Sequence, residues 1–292
     1  MLFNWGMNDY RDMRPTINML SIILENKLVY PKPSLLIDAF VITGKNQYKK
    51  DVLIPDYCAS FNDSGYYILR NKRINIMFCC NFFLNQYPSQ NDLFHMDIWR
   101  DGNSCFIDSE TYEYFGREGK KNYLNYLSTS AHNTARIEGK EQLDKDPRFT
   151  WLSTLEAGLT LREKSRLKAI SYAYRGRLDG DPLHRRSIIL VSENHIVIED
   201  EFDRVMGKNL ELFWFTPSFI QPQINDNKYR FTDLGLEVSF KSTFPLKIYP
   251  SFRPFSLYYA GRDYGSGLIV KLKASNKSEK ITTIIKFINC FS

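Results

Sequence analysis

The sequence predicts a mainly β protein, a large antiparallel β-sandwich preceded by a short α-helical segment. After Lys50 the chain consists of short β-branched and aromatic runs separated by Gly, Asn, Asp and Pro. Helical periodicity between these runs is nearly absent, which argues against alternating strands and helices. Phe, Tyr and Trp form 15% of the chain. They suit either a β core or a surface that contacts carbohydrate.

The helical pattern lies in the first 50 residues. Apolar residues recur at helical spacing between positions 17 and 24, and Pro15 suits a first helical turn. A helix is therefore predicted from Pro15 to Asn26, and a second one from Leu35 to Thr43 after two prolines. The predicted domains are a helical region at residues 1–50 and a β-sandwich at residues 51–292.

Strands are predicted wherever a β-branched or aromatic run lies between turn residues. These runs are residues 65–70, 74–83, 93–99, 104–108, 134–137, 187–191, 195–199, 210–215, 236–240, 268–272 and 282–288. Residues 192–194 read Ser-Glu-Asn between two apolar runs, which predicts a hairpin loop.

The net charge and the cysteines limit the binding partners and the kinds of site to be expected. The 39 Lys and Arg against 33 Asp and Glu give a net charge of +6, which attracts nucleic acid, anionic lipid or an acidic polysaccharide. We predict no nucleic-acid partner, because no basic run or binding motif accompanies this charge. The five cysteines are odd in number and lack C-x-x-C spacing, so they are expected in the core and not in disulfides or metal sites.

The N-terminal segment carries charges where a signal peptide needs an apolar stretch, and no later segment is long and apolar enough to cross a membrane. We therefore expect no membrane span. If the start is genuine, the chain is expected in the cytoplasm.

A β-hairpin is predicted at Asp101-Gly102, because a type I′ turn needs positive φ at both of its central residues. This register sets His95 opposite Asp108, Asp97 opposite Phe106 and Trp99 opposite Ser104. It also places Phe94, Met96 and Ile98 on one apolar face with Cys105 and Ile107. An opposed His and Asp can orient a general base or a metal ligand. They can equally form a structural cross-strand pair, and both interpretations stay open.

The most informative segment is Ala-His-Asn-Thr at residues 131–134, followed by Gln142, Phe149 and Trp151. Together with the hairpin segment from Gln90 to Tyr114, it resembles the C-terminal half of the heparinase II/III-like polysaccharide lyases. The resemblance implies a β-sandwich preceded by the last helices of an α/α toroid. His184-Arg185-Arg186, Asp200 and residues 251–265 fit the same family, and a buried Arg186–Asp200 pair is expected to be architectural.

The resemblance also implies a structural zinc site. Its first ligand is a His twelve residues before the hairpin glycine, and its others are the Asp of D-x-G-T-Y and the His of Ala-His-Asn-Thr. In this chain these positions hold Gln90, Asp108 and His132, and Glu110 replaces the glycine. Glutamine is a poor zinc ligand. The expectation is therefore no cofactor and a site joined by hydrogen bonds, or a weak zinc site at Asp108 and His132.

The implied activity is β-elimination on a uronic-acid-containing polysaccharide. This reaction needs a base for the C5 proton, an acid for the leaving oxygen and a group that neutralises the carboxylate. Family members take the base and acid from Tyr and His. The resulting catalytic candidates are His132, Tyr112 and Tyr114, with Tyr123 nearby, and the substrate-binding candidates are Asn133, His95 and Trp99. Each tyrosine can instead simply pack in or beside the sheet.

The expected partner is an acidic polysaccharide of the bacterial cell envelope or exopolysaccharide. A separate chain that carries the toroid is a second expected partner, and the resemblance implies a periplasmic or envelope location. Without the toroid, the 292 residues are expected to show little or no lyase activity. The alternative function is a non-catalytic carbohydrate-binding or scaffold sandwich.

Overall fold

The structure of the protein is a computed structural model that describes residues 13–30, 36–44, 49–50, 58–80, 90–113, 126–145, 151–152, 157–257 and 260–288. The chain divides into two compact units, Met1–Asp56 and Tyr57–Ser292.

The first unit contains two helices, α1 (Arg14–Glu25) and α2 (Ile37–Thr43). Strands β1 (Lys27–Leu28) and β2 (Lys49–Lys50) pair in parallel. The helix predicted from Pro15 to Asn26 is confirmed to within one residue. It ends at Asn26, whose φ of 54° is left-handed and whose N–H donates to the Ile22 carbonyl oxygen. Neither described helix has the length and apolar character of a membrane-spanning segment.

The second unit is built from strands. Their bounds are β3 (Ala59–Phe61), β4 (Tyr66–Arg70), β5 (Ile74–Cys79), β6 (Met96–Arg100), β7 (Asn103–Phe106), β8 (Ala135–Ile137), β9 (Asp144–Lys145), β10 (Trp151–Leu152), β11 (Ala157–Glu163), β12 (Arg166–Ser171), β13 (Leu183–Ser192), β14 (His195–Asp203), β15 (Asn209–Phe215), β16 (Gln223–Asn225), β17 (Lys228–Phe231), β18 (Leu236–Ser242), β19 (Lys247–Phe255), β20 (Asp263–Lys273) and β21 (Ser278–Phe287).

These strands form three larger antiparallel sheets. One has eight strands in the order β11-β12-β13-β14-β21-β18-β17-β16, and another has four in the order β19-β20-β15-β8. The third is the five-stranded meander β3 to β7, and β9 pairs with β10 alone. The predicted mainly β, antiparallel sandwich is confirmed. Its strands are distributed over three main sheets where two large ones were expected.

One hydrophobic core joins the three sheets. It includes Ile98 from the meander, Leu212 and Val270 from the four-stranded sheet and Ile198 from the eight-stranded sheet, all without exposed surface. Strand β14 alternates between buried and half-buried residues, as expected of a strand with one face on the core. Strand β15 is buried at six successive positions. Both of its faces are therefore covered.

The predicted turn at Asp101-Gly102 is present. Asp101 and Gly102 have φ values of 50° and 80°, and Trp99 pairs with Ser104 as expected. The register then shifts, so that Ile98 and not Asp97 lies opposite Phe106. The predicted Asp97–Phe106 pair is therefore wrong.

The physical reason for this shift is burial. Strict alternation would place Phe106 on the polar face, whereas the β-bulge lets Cys105 and Phe106 both enter the core. The predicted burial of Phe94, Met96 and Ile98 is confirmed. His95 and Asp108 lie outside the paired residues of the ladder, so they are not cross-strand partners in the predicted sense.

Candidate functional site

Three ionisable side chains meet beside the meander. His95, Asp108 and His132 bring metal-ligand-type atoms within 4.8 Å of one another. His132 Nδ1 lies 3.2 Å from Asp108 Oδ2, and His95 Nε2 lies 3.6 Å from the same oxygen. The two imidazole rings meet edge to face with centroids 5.5 Å apart. We call these three residues the His95 cluster.

Local backbone geometry positions this cluster. Phe94 has a φ of 67°, a left-handed conformation that is unusual for an aromatic residue. It comes directly before His95, so the strand predicted from residue 93 begins only at Met96. On the other side, a short 3₁₀ turn at Thr129–Ala131 leads into His132, whose backbone is extended. Ser109 donates from Oγ to the Ala131 carbonyl oxygen at 2.8 Å and joins the two segments.

Asn133 holds the surrounding strands together. Its Nδ2 donates to the carbonyl oxygens of Met96 (2.9 Å) and Ile107 (3.1 Å), and its Oδ1 accepts the Phe215 N–H at 2.6 Å. Asn133 has no exposed surface. Every polar atom of the side chain already has a protein partner. The predicted role of Asn133 in binding substrate stays a prediction.

A second buried cluster lies on β13 and β14. Arg186 donates to Asp200 through Nε (2.6 Å) and Nη2 (3.0 Å), and both residues are 0% exposed. The expected buried Arg186–Asp200 pair is confirmed. His184 Nε2 lies 2.7 Å from Asp200 Oδ1. We call these three residues the Arg186 cluster.

Asn133 connects the two clusters. Its backbone N–H donates to His95 Nδ1 at 3.0 Å, and its carbonyl oxygen accepts from Arg186 Nη1 at 2.7 Å. The same Arg186 nitrogen donates to the Phe94 carbonyl oxygen at 2.8 Å. The guanidinium therefore supports both the strained turn before His95 and the segment after His132.

Burial and charge act in opposite directions on the ionisable groups. Burial alone would raise the pKa of Asp108, but His132 and His95 hold this pKa well below its usual range. Burial lowers the pKa of His95, whereas the Asp108 and Asp97 carboxylates act against burial and raise it. In the Arg186 cluster, burial lowers the pKa of His184 below its ordinary value. Asp200 keeps a lowered pKa because Arg186 and His184 outweigh its burial.

Glu110 lies at the solvent-facing edge of the His95 cluster. Its φ is 58°, and the left-handed conformation explains why the family pattern has glycine at this position. Burial together with the Asp108 and Asp97 carboxylates raises the pKa of Glu110 to about 7. Glu110 was not predicted as a functional residue, although its replacement of a glycine was a usable signal.

A second residue that the sequence did not single out is Arg262. Its guanidinium carbon lies 4.6 Å from the centre of the Tyr112 ring, and the exposed side chain faces solvent. Tyr112 also stacks on Tyr126 with ring centroids 5.6 Å apart. The Ala260 N–H donates to the Tyr112 carbonyl oxygen at 2.7 Å, which ties residues 260–262 to the segment after Asp108.

Exposed aromatic side chains lie on the neighbouring strands β19 and β20. Phe252 and Tyr264 stack with nearly parallel rings 5.6 Å apart and are 51% and 41% exposed. Flat exposed rings of this kind suit contact with sugar rings. Residues 251–265 matched the family pattern in sequence, but only the fold shows which of their rings are exposed.

The remaining predicted site residues are dispersed. Trp99 is 42% exposed and lines a separate groove of about 270 Å³ with Arg70, Lys72 and Arg73. Gln90 donates from Nε2 to Thr111 Oγ1 at 3.4 Å. Tyr114, Tyr123 and Phe149 lie outside the described residues.

The His95 cluster lacks the ligand set of a zinc site. Structural zinc takes four protein ligands and catalytic zinc takes three. Gln90 offers only an amide, so His95 would have to join Asp108 and His132 as the third ligand. Its Nδ1 already accepts a backbone N–H, and its Nε2 lies 3.2 Å from Asp97 Oδ1. Neither nitrogen presents a free lone pair, and the residues present do not fit the ion.

The described residues thus form antiparallel sheets with a His-Asp-His cluster beside the Ala-His-Asn-Thr turn. The model of the heparinase II/III-like C-terminal family matches residues 55–252, more than half of the 292-residue chain. The chain therefore belongs to the heparinase II/III-like family. The search of curated proteins found no significant match.

Solved structures agree with this assignment at the level of the fold. The heparinase III gene product BT4657 superposes with a TM-score of 0.72 at 18% identity, over 96% of this chain and 42% of its own. The heparan sulfate lyase HepC from Pedobacter heparinus gives 0.69 at 14% identity, over 95% and 43%. A further heparinase III structure gives 0.68 at 15% identity, over 97% and 43%. The chain thus spans less than half the length of these proteins.

Proposed function

We propose that the chain forms the sandwich side of a polysaccharide lyase that cleaves a uronic-acid-containing glycan by β-elimination. The observation that carries the proposal is the exposed Arg262 guanidinium over the Tyr112 ring. A phenol next to a fixed cation is suited to moving the C5 proton while the cation pairs with the uronate carboxylate. Family membership and the heparan sulfate lyase among the similar folds support this reaction class.

The residues take different roles in this proposal. Tyr112, together with Tyr114 as predicted from the sequence, exchanges protons with the sugar, and Arg262 neutralises its carboxylate. His132 has no exposed surface, so we assign it a positioning role through Asp108. The Phe252 and Tyr264 rings and the Trp99 groove contact sugar rings further along the chain of the glycan. The +6 net charge favours an acidic polymer.

The helical toroid implied by the resemblance supplies the opposite wall of the cleft. Positioning a substrate between two walls contributes about 7–11 kcal/mol of barrier reduction in well-oriented reactions. We therefore propose that full turnover needs the toroid, in the same protein or on a separate chain, and that the reaction takes place in the bacterial envelope or periplasm. The 292 residues by themselves are proposed to bind the glycan and turn it over slowly.

A non-catalytic carbohydrate-binding sandwich is the second candidate. It is favoured by the complete burial of His132 and Asn133, two residues predicted to touch the substrate. Binding through Arg262 and the exposed aromatic rings needs neither of them.

The experiment incubates the chain with heparan sulfate, chondroitin sulfate, hyaluronan and alginate and measures the ultraviolet absorbance of unsaturated uronate. Glycan binding is measured in parallel at rising salt. For the lyase we expect product formation that falls about a hundredfold or more in Tyr112→Phe. Arg262→Gln should weaken binding and reduce its salt dependence. Tyr249→Phe is the matched control, since Tyr249 is an exposed tyrosine of β19, whereas Tyr112 follows β7.

The outcomes separate the two candidates. Product formation that Tyr112→Phe abolishes supports the lyase. Salt-dependent binding without product, even after the toroid region of a homologous lyase is added, supports the binding module. Absence of both binding and product would overturn each of them.

A further inference from the structure

We infer that a proton on His95 Nε2 takes the place of a metal ion in this cluster, so that His95 makes the site metal-free where the family pattern implies zinc. This inference concerns how the site is held together, and it stands whether or not the chain is a lyase.

The first step is the position of the proton on His95. The Asn133 backbone N–H can only donate, and it points at His95 Nδ1 from 3.0 Å. Nδ1 therefore accepts, and a neutral His95 must carry its proton on Nε2. A charged imidazolium would carry a proton on Nδ1 as well, which would face the Asn133 N–H, so this contact favours the neutral ring. In that form Nε2 is a donor without a lone pair for a metal.

The second step is what surrounds this proton. Nε2 lies 3.2 Å from Asp97 Oδ1 and 3.6 Å from Asp108 Oδ2. Ionised carboxylates only accept hydrogen bonds, so the Nε2–H donates to Asp97 and also lies close to the Asp108 carboxylate. A zinc ion would satisfy them in a similar way. The N–H of His95 thus turns its positive end toward the Asp108 carboxylate on the side where the family pattern implies a metal.

The third step concerns His132. Its Nδ1 lies 3.2 Å from Asp108 Oδ2 and donates to this carboxylate, so a neutral His132 has its one proton on Nδ1 and none on Nε2. Asp108 Oδ1 accepts the Glu110 N–H at 2.8 Å, so both carboxylate oxygens have donors. Among the described residues His132 Nε2 has no partner. One free imidazole nitrogen is not enough, because zinc requires three or four protein ligands.

The sequence differences fit together on this basis. Gln90 removes an imidazole from the position that the family pattern assigns to a ligand, and His95 brings another imidazole to Asp108 from the strained turn at Phe94. The incoming imidazole is held by Asn133 in the tautomer that donates. The cluster keeps its two imidazoles on one aspartate while losing its affinity for the ion.

The direct test is nuclear magnetic resonance of the chain with ¹⁵N-labelled histidine. The protein has four histidines, so single variants such as His195→Gln assign the spectrum. We expect a protonated Nε2 and an unprotonated Nδ1 for His95, and the reverse for His132. One equivalent of zinc should leave both unchanged. An unprotonated Nε2 on His95, or a shift of its signals on addition of zinc, would overturn the inference.

A metal measurement complements it. Chain purified without chelator and then dialysed should contain far less than one zinc per molecule by mass spectrometry. The double variant Gln90→His/His95→Ser restores an imidazole at position 90 and removes the competing donor, and we expect its zinc affinity to rise about 10–100-fold. Gln90→Asn/His95→Ser is the matched control. Stoichiometric zinc in the unaltered chain that His95→Ser abolishes would contradict the inference, and the resonance experiment decides the question even if the double variant fails to fold.

Discussion

The His95 cluster and the Arg186 cluster each contain an aspartate and a histidine, but they differ in the group that faces the aspartate. In each, an aspartate faces at least one imidazole, and Asn133 connects the two clusters. Asp200 is fully buried, whereas Asp108 is partly exposed. Asp200 is neutralised by a bidentate guanidinium that never loses its charge. Asp108 has only imidazoles, with Asp97 and Glu110 close by. The permanent cation of Arg186 makes the Arg186 cluster part of the scaffold. In the His95 cluster, the interactions of Asp108 depend on which imidazole nitrogens carry protons.

The largest effect is expected from removing the permanent cation. Arg186→Met should lower the free energy of unfolding by about 3–5 kcal/mol, because it leaves Asp200 buried without its charge partner. Urea unfolding followed by tryptophan fluorescence measures this change.

Arg185→Met is the control for this prediction. Arg185 is the neighbour on the same strand, is half-buried and pairs with the half-buried Asp203, so a loss below about 1 kcal/mol is expected. Equal losses in both variants would show that the buried Arg186–Asp200 pair contributes no more to stability than the half-buried Arg185–Asp203 pair.

The next largest effect is expected where the clusters meet. Asn133→Ala leaves the Phe215 N–H and the Met96 and Ile107 carbonyl groups without their side-chain partner. We expect a loss of about 3 kcal/mol in the free energy of unfolding, since unsatisfied buried groups are costly.

The exposed Asn225 is the control for this variant, and Asn225→Ala should change stability by no more than about 0.5 kcal/mol. Calorimetric unfolding compares the two. A near-neutral Asn133→Ala would mean that water replaces the hydrogen bonds of the side chain.

The smallest effect is a pH dependence confined to the His95 cluster. Glu110 has a pKa of about 7, raised from 4.5. A raised carboxyl pKa means that the contribution to stability is fully present below about pH 4.5 and is lost as the pH rises through about 7. Glu110→Gln should therefore be more stable than the unaltered chain at pH 8 by about 1–2 kcal/mol, a figure reduced for the exposure of the side chain.

Thermal unfolding at pH 4 and pH 8 measures this difference, with the exposed Glu163→Gln as control. Glu110→Gly should add about 1 kcal/mol more, because glycine adopts the φ of 58° without strain. If Glu110→Gln leaves the pH profile unchanged, Glu110 titrates as an ordinary surface carboxylate.

Much of the fold could be predicted from local residues. The turn at Asp101-Gly102, the helix at Pro15 and the texture of the strands depend on short-range chemistry, and the buried Arg186–Asp200 pair followed from the family pattern. The division into three sheets and the bulge beside Phe106 could not be predicted this way. Both depend on which side chains can be buried against distant strands.

Two of the three residues of the His95 cluster were predicted to lie together. Asp108 and His132 meet as the resemblance implied, and His95, which the family pattern does not count as a ligand, joins them. The reason is the φ of 67° at Phe94, which periodicity cannot show. Arg262 lies 150 residues beyond Tyr112, and only the packing of the four-stranded sheet brings them together.

The sequence by itself determined that this is a heparinase II/III-like sandwich, because turn residues, strand composition and the Ala-His-Asn-Thr segment are local and additive signals. The tertiary structure decided which nitrogen of His95 carries the proton. That choice depends on a single backbone N–H of Asn133, 38 residues away along the chain, held in place by Arg186 a further 53 residues on. A tautomer follows from the donors that surround a ring, and those donors are assembled only when the chain folds.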